Sequence, residues 1–390
     1  MNIKQNYDAV IIGAGHNGLV CANYLARAGQ KVLVLEASAE AGGLAATREF
    51  HPGFKASVAH SLNHFSEKIG AQLRLTEFGY TGAGEALPSI GLDSSGNHVK
   101  VHAGKVSGVS EKDARKYEDL LALLKRCAAA LEPSWYKTMP RIGNNSIAEL
   151  LTFAQVGLKL RLLGKQDMRE FFRIAALPAR DLMDENFDNE LLKSLLSWDG
   201  LIGSRQAPRS PNHTVLTMLY RLLGKHEGGH SIPEGGIETL IAALVQSAAA
   251  AGAELRLNSP VQKVRIDADE SGLQASGVEL ADGEFISAKR VVSATDPRRT
   301  FLGLVGAENL EIEFSNRINR IRDDGFVAKL HLALSGEPQF SGVDDARGRM
   351  IISPTMDSME FAWDDAKYGG CPEQPVMEVL VPSLSDSSLA

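Results

Sequence analysis

The stretch Ala9-Val-Ile-Ile-Gly-Ala-Gly-His-Asn-Gly18 is the part of the sequence that decides the fold. Its four consecutive apolar residues are typical of a buried parallel strand, which is covered on both faces. An apolar pattern over 19–26 then predicts a helix, and Gly29 lies where a helix C-cap is expected. A second apolar run, Val32-Leu-Val-Leu35, predicts a second strand that ends at Glu36. The opening of the chain therefore has the pattern of a strand–turn–helix–strand unit.

The glycines of this unit have the spacing of a dinucleotide-binding fingerprint. Gly13 permits the tight turn, Gly15 lets a pyrophosphate approach the backbone, and Gly18 lets the helix lie close to the strand. The helix N-terminus offers amide groups and a positive dipole end to phosphates. Glu36 lies eighteen positions after Gly18, where an acidic residue binds a ribose hydroxyl. The predicted contacts of the turn are Gly13, Ala14, Gly15, His16, Asn17 and Gly18.

The residues after Glu36 distinguish between NAD and FAD, since the fingerprint alone serves either cofactor. A glycine pair, Gly42-Gly43, follows where an NAD domain usually proceeds to its next helix. The arrangement Glu-x5-Gly-Gly-x3-Thr over 36–47 resembles the glutathione-reductase-type FAD superfamily, in its amine oxidase and phytoene desaturase branch. The resemblance implies that Glu36 holds the adenosine ribose and that 42–47 runs along the pyrophosphate toward the flavin. The further FAD contacts that it implies are Ala37, Gly42, Gly43, Leu44 and Thr47.

A second group of elements follows in the order found in the same superfamily. After a glycine-rich stretch that begins at Gly228, the sequence predicts a helix over 237–251, strands at 254–257 and 261–266, a hairpin turn at Asp282-Gly283, and a buried strand from 291 that stops at Pro297. The resemblance implies that the backbone of Val261 contacts the adenine. It also implies that the turn at Ala294 passes near the dinucleotide.

Four further motifs are similar to the phytoene-dehydrogenase-related group: Arg205-Gln-Ala-Pro-Arg-Ser-Pro211, Asp296-Pro-Arg-Arg-Thr300, Trp363-Asp-Asp-Ala-Lys-Tyr-Gly369 and the stretch 381–390. The resemblance covers essentially the whole chain. It implies an FAD-dependent dehydrogenase or desaturase that acts on CH–CH bonds of an apolar small molecule and transfers a hydride to the flavin. Family members continue past the point equivalent to Ala390 with a glycine-rich stretch that returns to the flavin. We therefore expect either a truncated gene or an incomplete flavin site.

Three residues after the pyrophosphate segment are candidates for proton transfer: His60, Ser61 and His64. In related folds this part of the chain passes the flavin ring, and a histidine there could move a proton near neutral pH. A structural hydrogen-bonding role is the alternative, because flavin dehydrogenases need no obligatory base. The ten histidines show no metal-binding spacing, so no metal site is predicted.

Composition limits the other classes of function. The 390 residues carry a formal net charge of −7 with no basic block, which argues against nucleic-acid binding. Cys21, Cys127 and Cys371 form no C-x-x-C pair, and a reducing, cytoplasmic compartment is expected. The apolar stretch 150–163 is too short to span a bilayer. It is interpreted as a lid or core helix, or as a surface that rests on a membrane.

Two helical features are predicted between the FAD segments. Ser110 caps a long helix, with Asp113 three residues on as in a capping box, and Pro133 breaks its pattern. A largely helical region then runs from 146 to 223.

Together these patterns predict an α/β protein in which a glutathione-reductase-type FAD-binding Rossmann domain is interleaved with an α+β substrate domain. The FAD domain is expected from 1–75 and 226–300, and the substrate domain from 76–225 and 301–390, with the active cleft between them. Two alternatives stay open. One is an amine-oxidase-like flavoenzyme, for which an aromatic content of 6% shows no evident cage. The other is a catalytically degenerate flavin-binding scaffold or regulatory interaction protein. The sequence does not indicate the electron acceptor or the oligomeric state.

Overall fold

The computed structural model describes residues 6–59, 65–137, 146–226, 228–269, 272–322 and 325–390. No helix in these ranges is long and apolar enough to cross a membrane. The strands are β1 (Asn6–Tyr7), β2 (Ala9–Ile12), β3 (Val32–Leu35), β4 (Arg48–His51), β5 (Phe54–Ala56), β6 (Ser89–Gly91), β7 (Val99–His102), β8 (Lys105–Ser107), β9 (Glu254–Arg256), β10 (Val261–Asp269), β11 (Gly272–Leu280), β12 (Phe285–Ala288), β13 (Val291–Ser293), β14 (Arg349–Ile352) and β15 (Met377–Val379). The α-helices are α1 (His16–Arg27), α2 (Glu67–Gln72), α3 (Glu111–Trp135), α4 (Ile147–Leu162), α5 (Lys165–Ile174), α6 (Ala179–Asn186), α7 (Glu190–Leu201), α8 (Thr214–Arg221), α9 (Glu238–Ala250), α10 (Ile312–Asn319) and α11 (Met356–Lys367).

A parallel sheet in the order β13-β2-β3-β9 contains the two apolar runs that open the sequence. Every residue of β2 and β3 is buried, as expected for parallel strands that are covered on both faces. Val10 lies opposite Leu33 and Val291 in the register of this sheet. The predicted strand–turn–helix–strand unit is therefore present as β2, α1 and β3.

The two faces of the parallel sheet have different partners. On one face Ile11 and Val34 share a buried cluster with Leu19 of α1 and Leu244 of α9. On the other face Val10, Leu33 and Leu35 pack with the apolar side of a second sheet, whose order is β1-β12-β11-β10. The result is a layer of helices, a parallel sheet and a second sheet, with one buried apolar cluster on each face of the parallel sheet.

The parallel sheet joins parts of the chain that are distant in sequence. Strands β9 and β13 follow residue 250, yet they hydrogen-bond to strands within the first 35 residues. A third sheet, in the order β15-β14-β6-β7-β8, is mixed and also combines early and late strands. This connectivity brings the glycine-rich turn after β2 beside the turn after β13. The predicted domain boundaries themselves remain a prediction.

Helix α3 differs from the prediction in two details. Pro133 does not end the helix, which runs to Trp135 and so contains the proline in its last turn. Ser110 Oγ accepts from the Asp113 amide at 3.1 Å, but the predicted capping box is not completed. The Asp113 carboxylate instead accepts from the amides of Asp188 and Asn189 at 2.9 and 3.1 Å. It therefore connects α3 to the turn before α7, because α7 begins directly after Asn189.

A buried ion cluster fixes the third sheet to helix α7. The Arg349 side chain is 4% exposed, and its Nη2 lies 2.6 Å from Asp199 Oδ1 and its Nη1 3.8 Å from Glu378 Oε2. Arg221 approaches the same oxygen of Asp199 at 3.2 Å, and Trp198 Nε1 donates to Glu378 at 2.7 Å. Asp199 thus has two cationic partners, and Glu378 has one hydrogen-bond donor and one cation. The two carboxylates offset part of the loss of water around the buried guanidinium, whose Nε has no hydrogen-bond partner among the described residues.

Replacing Arg349 with methionine is expected to lower the free energy of unfolding by about 3 kcal/mol or more, because two partly buried carboxylates lose a shared cation. The neighbouring pair Arg347–Asp345 is the matched control, since the Arg347 side chain is 50% exposed. Arg347→Met is expected to cost about 1 kcal/mol or less. Urea denaturation followed by circular dichroism measures both values. Equal losses for the two variants would show that the buried cluster does not stabilise the fold as described.

Candidate functional site

The conformation of the turn between β2 and α1 requires glycine at positions 13 and 18, whether or not a ligand is bound. Gly13 has φ +99°, a conformation that side chains rarely adopt. A Cβ at Gly18 would lie 2.0 Å from the Gly13 carbonyl oxygen, so only glycine lets α1 approach the turn this closely. His16 and Asn17 are exposed at the start of the helix, and no described side chain caps its N-terminus. The first amides of α1 are therefore directed at the space in front of the turn.

The second glycine turn lies against the first. Gly42 has φ +123°, and its amide donates to the Ala14 carbonyl at 2.9 Å. Gly15 and Gly42 form a β-bridge, and a Cβ at Gly43 would lie 3.3 Å from the Gly15 Cα. Two backbone segments thus meet with almost no side chains between them. Beyond this contact Leu44 is 71% exposed and Thr47 is half-buried.

Gly15 differs from the other glycines of the two turns. Its backbone is extended, with φ −68° and ψ 170°, which any residue can adopt. No described atom lies within 4 Å of the position that a Cβ at Gly15 would occupy. The protein's own packing therefore does not require glycine here, whereas a ligand that lies against the backbone would require it.

Glu36 lies at the end of β3 beside the first turn. Its Oε2 accepts from the Ala14 amide at 2.7 Å and its Oε1 from the Ser38 amide at 3.0 Å. Two amides thus fix the carboxylate, and each oxygen keeps a further lone pair for a hydroxyl donor. Ala37, the next residue, is exposed.

The second predicted segment reaches the same place. The Ala294 amide donates to the Ile12 carbonyl at 2.9 Å, and the Ala294 Cβ would be 3.2 Å from a Cβ at Gly18. The Ser259 amide donates to the Glu36 carbonyl at 2.8 Å, two residues before buried Val261. The structure therefore brings the fingerprint turn, the glycine pair, the acidic residue and the Ala294 turn together, with Val261 at the edge beside Glu36.

The three proton-transfer candidates His60, Ser61 and His64 lie outside the described residues. The segment before them is described and continues from the glycine pair. The Ala59 amide donates to the Leu44 carbonyl at 2.9 Å, so the end of the β4–β5 hairpin lies beside the second glycine turn.

At this point the structure shows a titratable group that the sequence reasoning missed. Lys329 Nζ donates to the carbonyls of Ser57 and Val58 at 2.9 and 2.6 Å. Although the residue as a whole is exposed, desolvation of its ammonium lowers the pKa of Lys329 to about 8, and the charge of Glu378 acts in the opposite direction. The sequence signal is a single lysine within the otherwise largely apolar stretch 326–334.

A hollow of about 530 Å³ lies between the hairpin and the segment that carries Lys329. Its wall contains Phe50, His51, Phe54, His331 and residues 332–335. The rings of Phe50 and His331 lie 5.3 Å apart, and those of Phe50 and Phe54 lie 6.4 Å apart. Desolvation, followed by the charge of Lys329, lowers the pKa of His331, which favours a neutral imidazole. The hollow is thus lined mainly by apolar side chains, together with two histidines and Ser335. The aromatic cluster was not apparent from the sequence.

Comparison with known proteins gives the family. Residues 18–338 match the family described as flavin containing amine oxidoreductase. Over its full length the chain is 30% identical to pyridine nucleotide-disulfide oxidoreductase domain-containing protein 2 of Mus musculus, of which it covers 72%. Over 88% of its length it is 26% identical to a limonene dehydrogenase subunit of Castellaniella defragrans, of which it covers 62%. The structure of an oxidoreductase from Methanosarcina mazei has a TM-score of 0.53 at 19% identity, over 80% of this chain and 64% of that one.

These matches confirm the predicted relation to phytoene-desaturase-related flavoproteins and the predicted FAD cofactor. They also confirm a mixed α/β fold of the FAD-dependent oxidoreductase type. The individual FAD contacts and the cytoplasmic location stay predictions. The chain belongs to the flavin-containing amine oxidoreductase family.

Proposed function

We propose that the chain binds FAD in a glutathione-reductase-type site between its two glycine turns. The open position at Gly15 carries this proposal, because the protein contacts explain the other glycines but not this one. The uncapped N-terminus of α1 supplies amides for the pyrophosphate. The proposed contacts are Gly13, Ala14, Gly15, His16, Asn17, Gly18, Glu36, Ala37, Gly42, Gly43, Leu44, Thr47, Val261 and Ala294.

The residues around Glu36 fit the adenosine end. Its carboxylate is already oriented by two amides, so little ordering is needed before it accepts from a ribose diol. Ser259 is held beside Glu36 by its backbone amide, and Val261 follows two residues later, so the Val261 backbone is the proposed contact for the adenine. The reactive end of the flavin is then assigned to the opposite side. There the Ala59 amide donates to the Leu44 carbonyl, and Lys329 Nζ donates to the carbonyl of the preceding residue, Val58.

The bound flavin supplies the redox chemistry by accepting a hydride. Side chains of the hollow position the substrate: Phe50, Phe54 and Leu332 offer apolar contacts beside Lys329. Lys329 Nζ holds a proton that can be exchanged near neutral pH, because its pKa is lowered to about 8. In this assignment Lys329 is a proton-carrying group among the described residues, and the roles of His60, Ser61 and His64 stay predictions.

The substrate is proposed to be an apolar molecule that is oxidised at a CH–CH bond. The described lining of the hollow contains no carboxylate, and Lys329 lies beside it. An ammonium substrate would therefore meet the Lys329 cation and find no carboxylate among the described lining residues. The relative named as a limonene dehydrogenase subunit supports a hydrocarbon substrate for this chain.

Anaerobic reduction of the FAD-loaded chain tests this function against the amine-oxidase-like alternative. Limonene, as a hydrocarbon probe, is expected to bleach the flavin absorbance, and putrescine, as an amine probe, is expected to leave it unchanged. Bleaching by putrescine alone would favour the amine-oxidase-like alternative. A flavin that dithionite reduces but that neither probe bleaches would contradict the proposed substrate class and favour a scaffold.

Gly15→Ala and Gly18→Ala are expected to separate ligand contact from protein packing. Gly15→Ala should weaken FAD binding at least about tenfold, which is about 1.4 kcal/mol, while the FAD-free chain loses less than about 1 kcal/mol of stability. Gly18→Ala should cost the FAD-free chain about 1–3 kcal/mol, because its Cβ meets the Gly13 carbonyl. Glu36→Ala should weaken FAD binding without unfolding the chain. Quenching of flavin fluorescence measures the FAD affinity of each variant, and urea denaturation measures the stability of each FAD-free chain. Unchanged FAD affinity in Gly15→Ala or Glu36→Ala would contradict the assigned contact.

Lys329 is expected to titrate near pH 8. Its pKa is lowered from the free value of 10.5, so folding releases a proton between these pH values. Its contribution to the free energy of unfolding therefore rises with pH across this window. Reductive ¹³C-methylation gives each lysine its own NMR resonance. The resonance that disappears in Lys329→Met belongs to Lys329, and it should titrate with a midpoint near pH 8. A midpoint above about 10, as for a free lysine, would contradict the desolvated environment.

A further inference from the structure

Helix α4 has apolar residues on the face that packs against the protein and also on the opposite face. Thr152, Val156 and Leu160 recur every fourth residue and face the protein, where Leu160 is 7% exposed. The opposite face, here called the outer face of α4, has large apolar side chains at Ile147, Leu150, Leu151, Leu158 and Leu162, with exposures of 76, 53, 63, 59 and 71%.

This outer face is larger than the ordinary apolar exposure of a protein surface. Single exposed leucines are common and require no partner. Here the side chains follow one another along a 16-residue helix, which is about 24 Å long. A helix that is apolar all round is typical of burial in a core or in lipid. Helix α4 is not apolar all round, since it also contains Glu149, Lys159 and Arg161, but it has large apolar side chains both on the side that packs on the protein and on the exposed side.

Cations follow the apolar residues at the C-terminal end of α4. Lys159 and Arg161 lie in its last turns, and Lys165 and Arg169 follow in α5. None of the four forms an ion pair with another described residue, although the whole chain has a net charge of −7. Lys165 and Arg169 also line an open hollow of about 780 Å³ together with Arg126 and Arg173, which pair with acidic neighbours.

We propose that the outer face of α4 binds the surface of an anionic membrane. The helix would lie in the plane of the headgroups, because 16 residues are fewer than the about 20 that span a bilayer. Its leucines enter the boundary of the acyl chains, and the four unpaired cations contact anionic headgroups. Lipid would supply an apolar layer for the leucines and anionic headgroups for these four cations, whereas Asp167 and Glu170 beside them pair with Arg126 and Arg173. The inference is independent of the reaction catalysed.

Co-sedimentation of the full chain with vesicles tests this surface. Strong binding is expected with equimolar phosphatidylcholine and phosphatidylserine, and weaker binding with phosphatidylcholine alone. Leu151→Gln/Leu158→Gln should lower partitioning at least about tenfold, because two apolar side chains leave the interface. The matched control is Leu273→Gln/Phe361→Gln, whose residues are 59 and 69% exposed elsewhere on the surface. All variants replace exposed side chains and should unfold at the same urea concentration as the original chain.

A charge variant separates the two contributions. Arg161→Gln/Lys165→Gln should weaken binding to the phosphatidylserine vesicles by about tenfold or more and leave binding to phosphatidylcholine nearly unchanged. Failure of the original chain to sediment with either vesicle would overturn the proposal. Equal loss in the outer-face variant and its control would also overturn it. If the chain forms a dimer without lipid that Leu151→Gln/Leu158→Gln dissociates, the outer face joins two copies and the proposal is wrong.

Discussion

The absence of a side chain at Gly18 is the constraint on which the rest of the structure depends. A single carbon there would meet the Gly13 carbonyl at 2.0 Å and force α1 away from the turn. With glycine, α1 lies close enough for Leu19 and Ala22 to share a core with Ile11 and with α9. The same approach brings the helix N-terminus to the carboxyl ends of β2 and β13, so the packing of the core and the geometry of the site are set together.

The candidate site is consequently made mostly of backbone. Gly15, Gly42 and the Ala294 turn meet through amides, carbonyls and empty Cβ positions, and Glu36 adds one oriented carboxylate. Such a surface can recognise a dinucleotide, but it does not specify a reaction. The groups that can do so come from distant parts of the chain, since Lys329 reaches the carbonyls of Ser57 and Val58. In the proposed function, substrate choice thus depends on the hairpin and on 326–334 rather than on the fingerprint.

The sequence was informative where short-range chemistry determines structure. The β2–α1–β3 unit and the position of Glu36 could be predicted, because glycine spacing and apolar runs act within about thirty residues. Lys329 could not be assigned a role, because its environment arises from carbonyls some 270 residues earlier. The predicted capping-box role of Asp113 was wrong for the same reason. Its carboxylate accepts from the amides of Asp188 and Asn189, which are some 75 residues later in the sequence. Pro133 was expected to end α3, but a proline near the end of a long packed helix is tolerated when tertiary contacts hold the preceding turns.

The outer face of α4 is an apolar sequence pattern whose structural role depends on tertiary packing. The sequence indicated an apolar stretch that could be a core helix or a surface on a membrane. The structure packs Leu160 inside and leaves Leu151 and Leu158 exposed, so the core description holds for one face of the helix and the membrane contact of the other face stays a proposal. The central claim is that FAD binds between the two glycine turns. Its most direct test is the absorbance spectrum of the purified chain after incubation with FAD and removal of free cofactor. We predict the bands of oxidised flavin at one FAD per chain, with FAD identified after acid release. A colourless chain that FAD cannot reconstitute would contradict the account of this site.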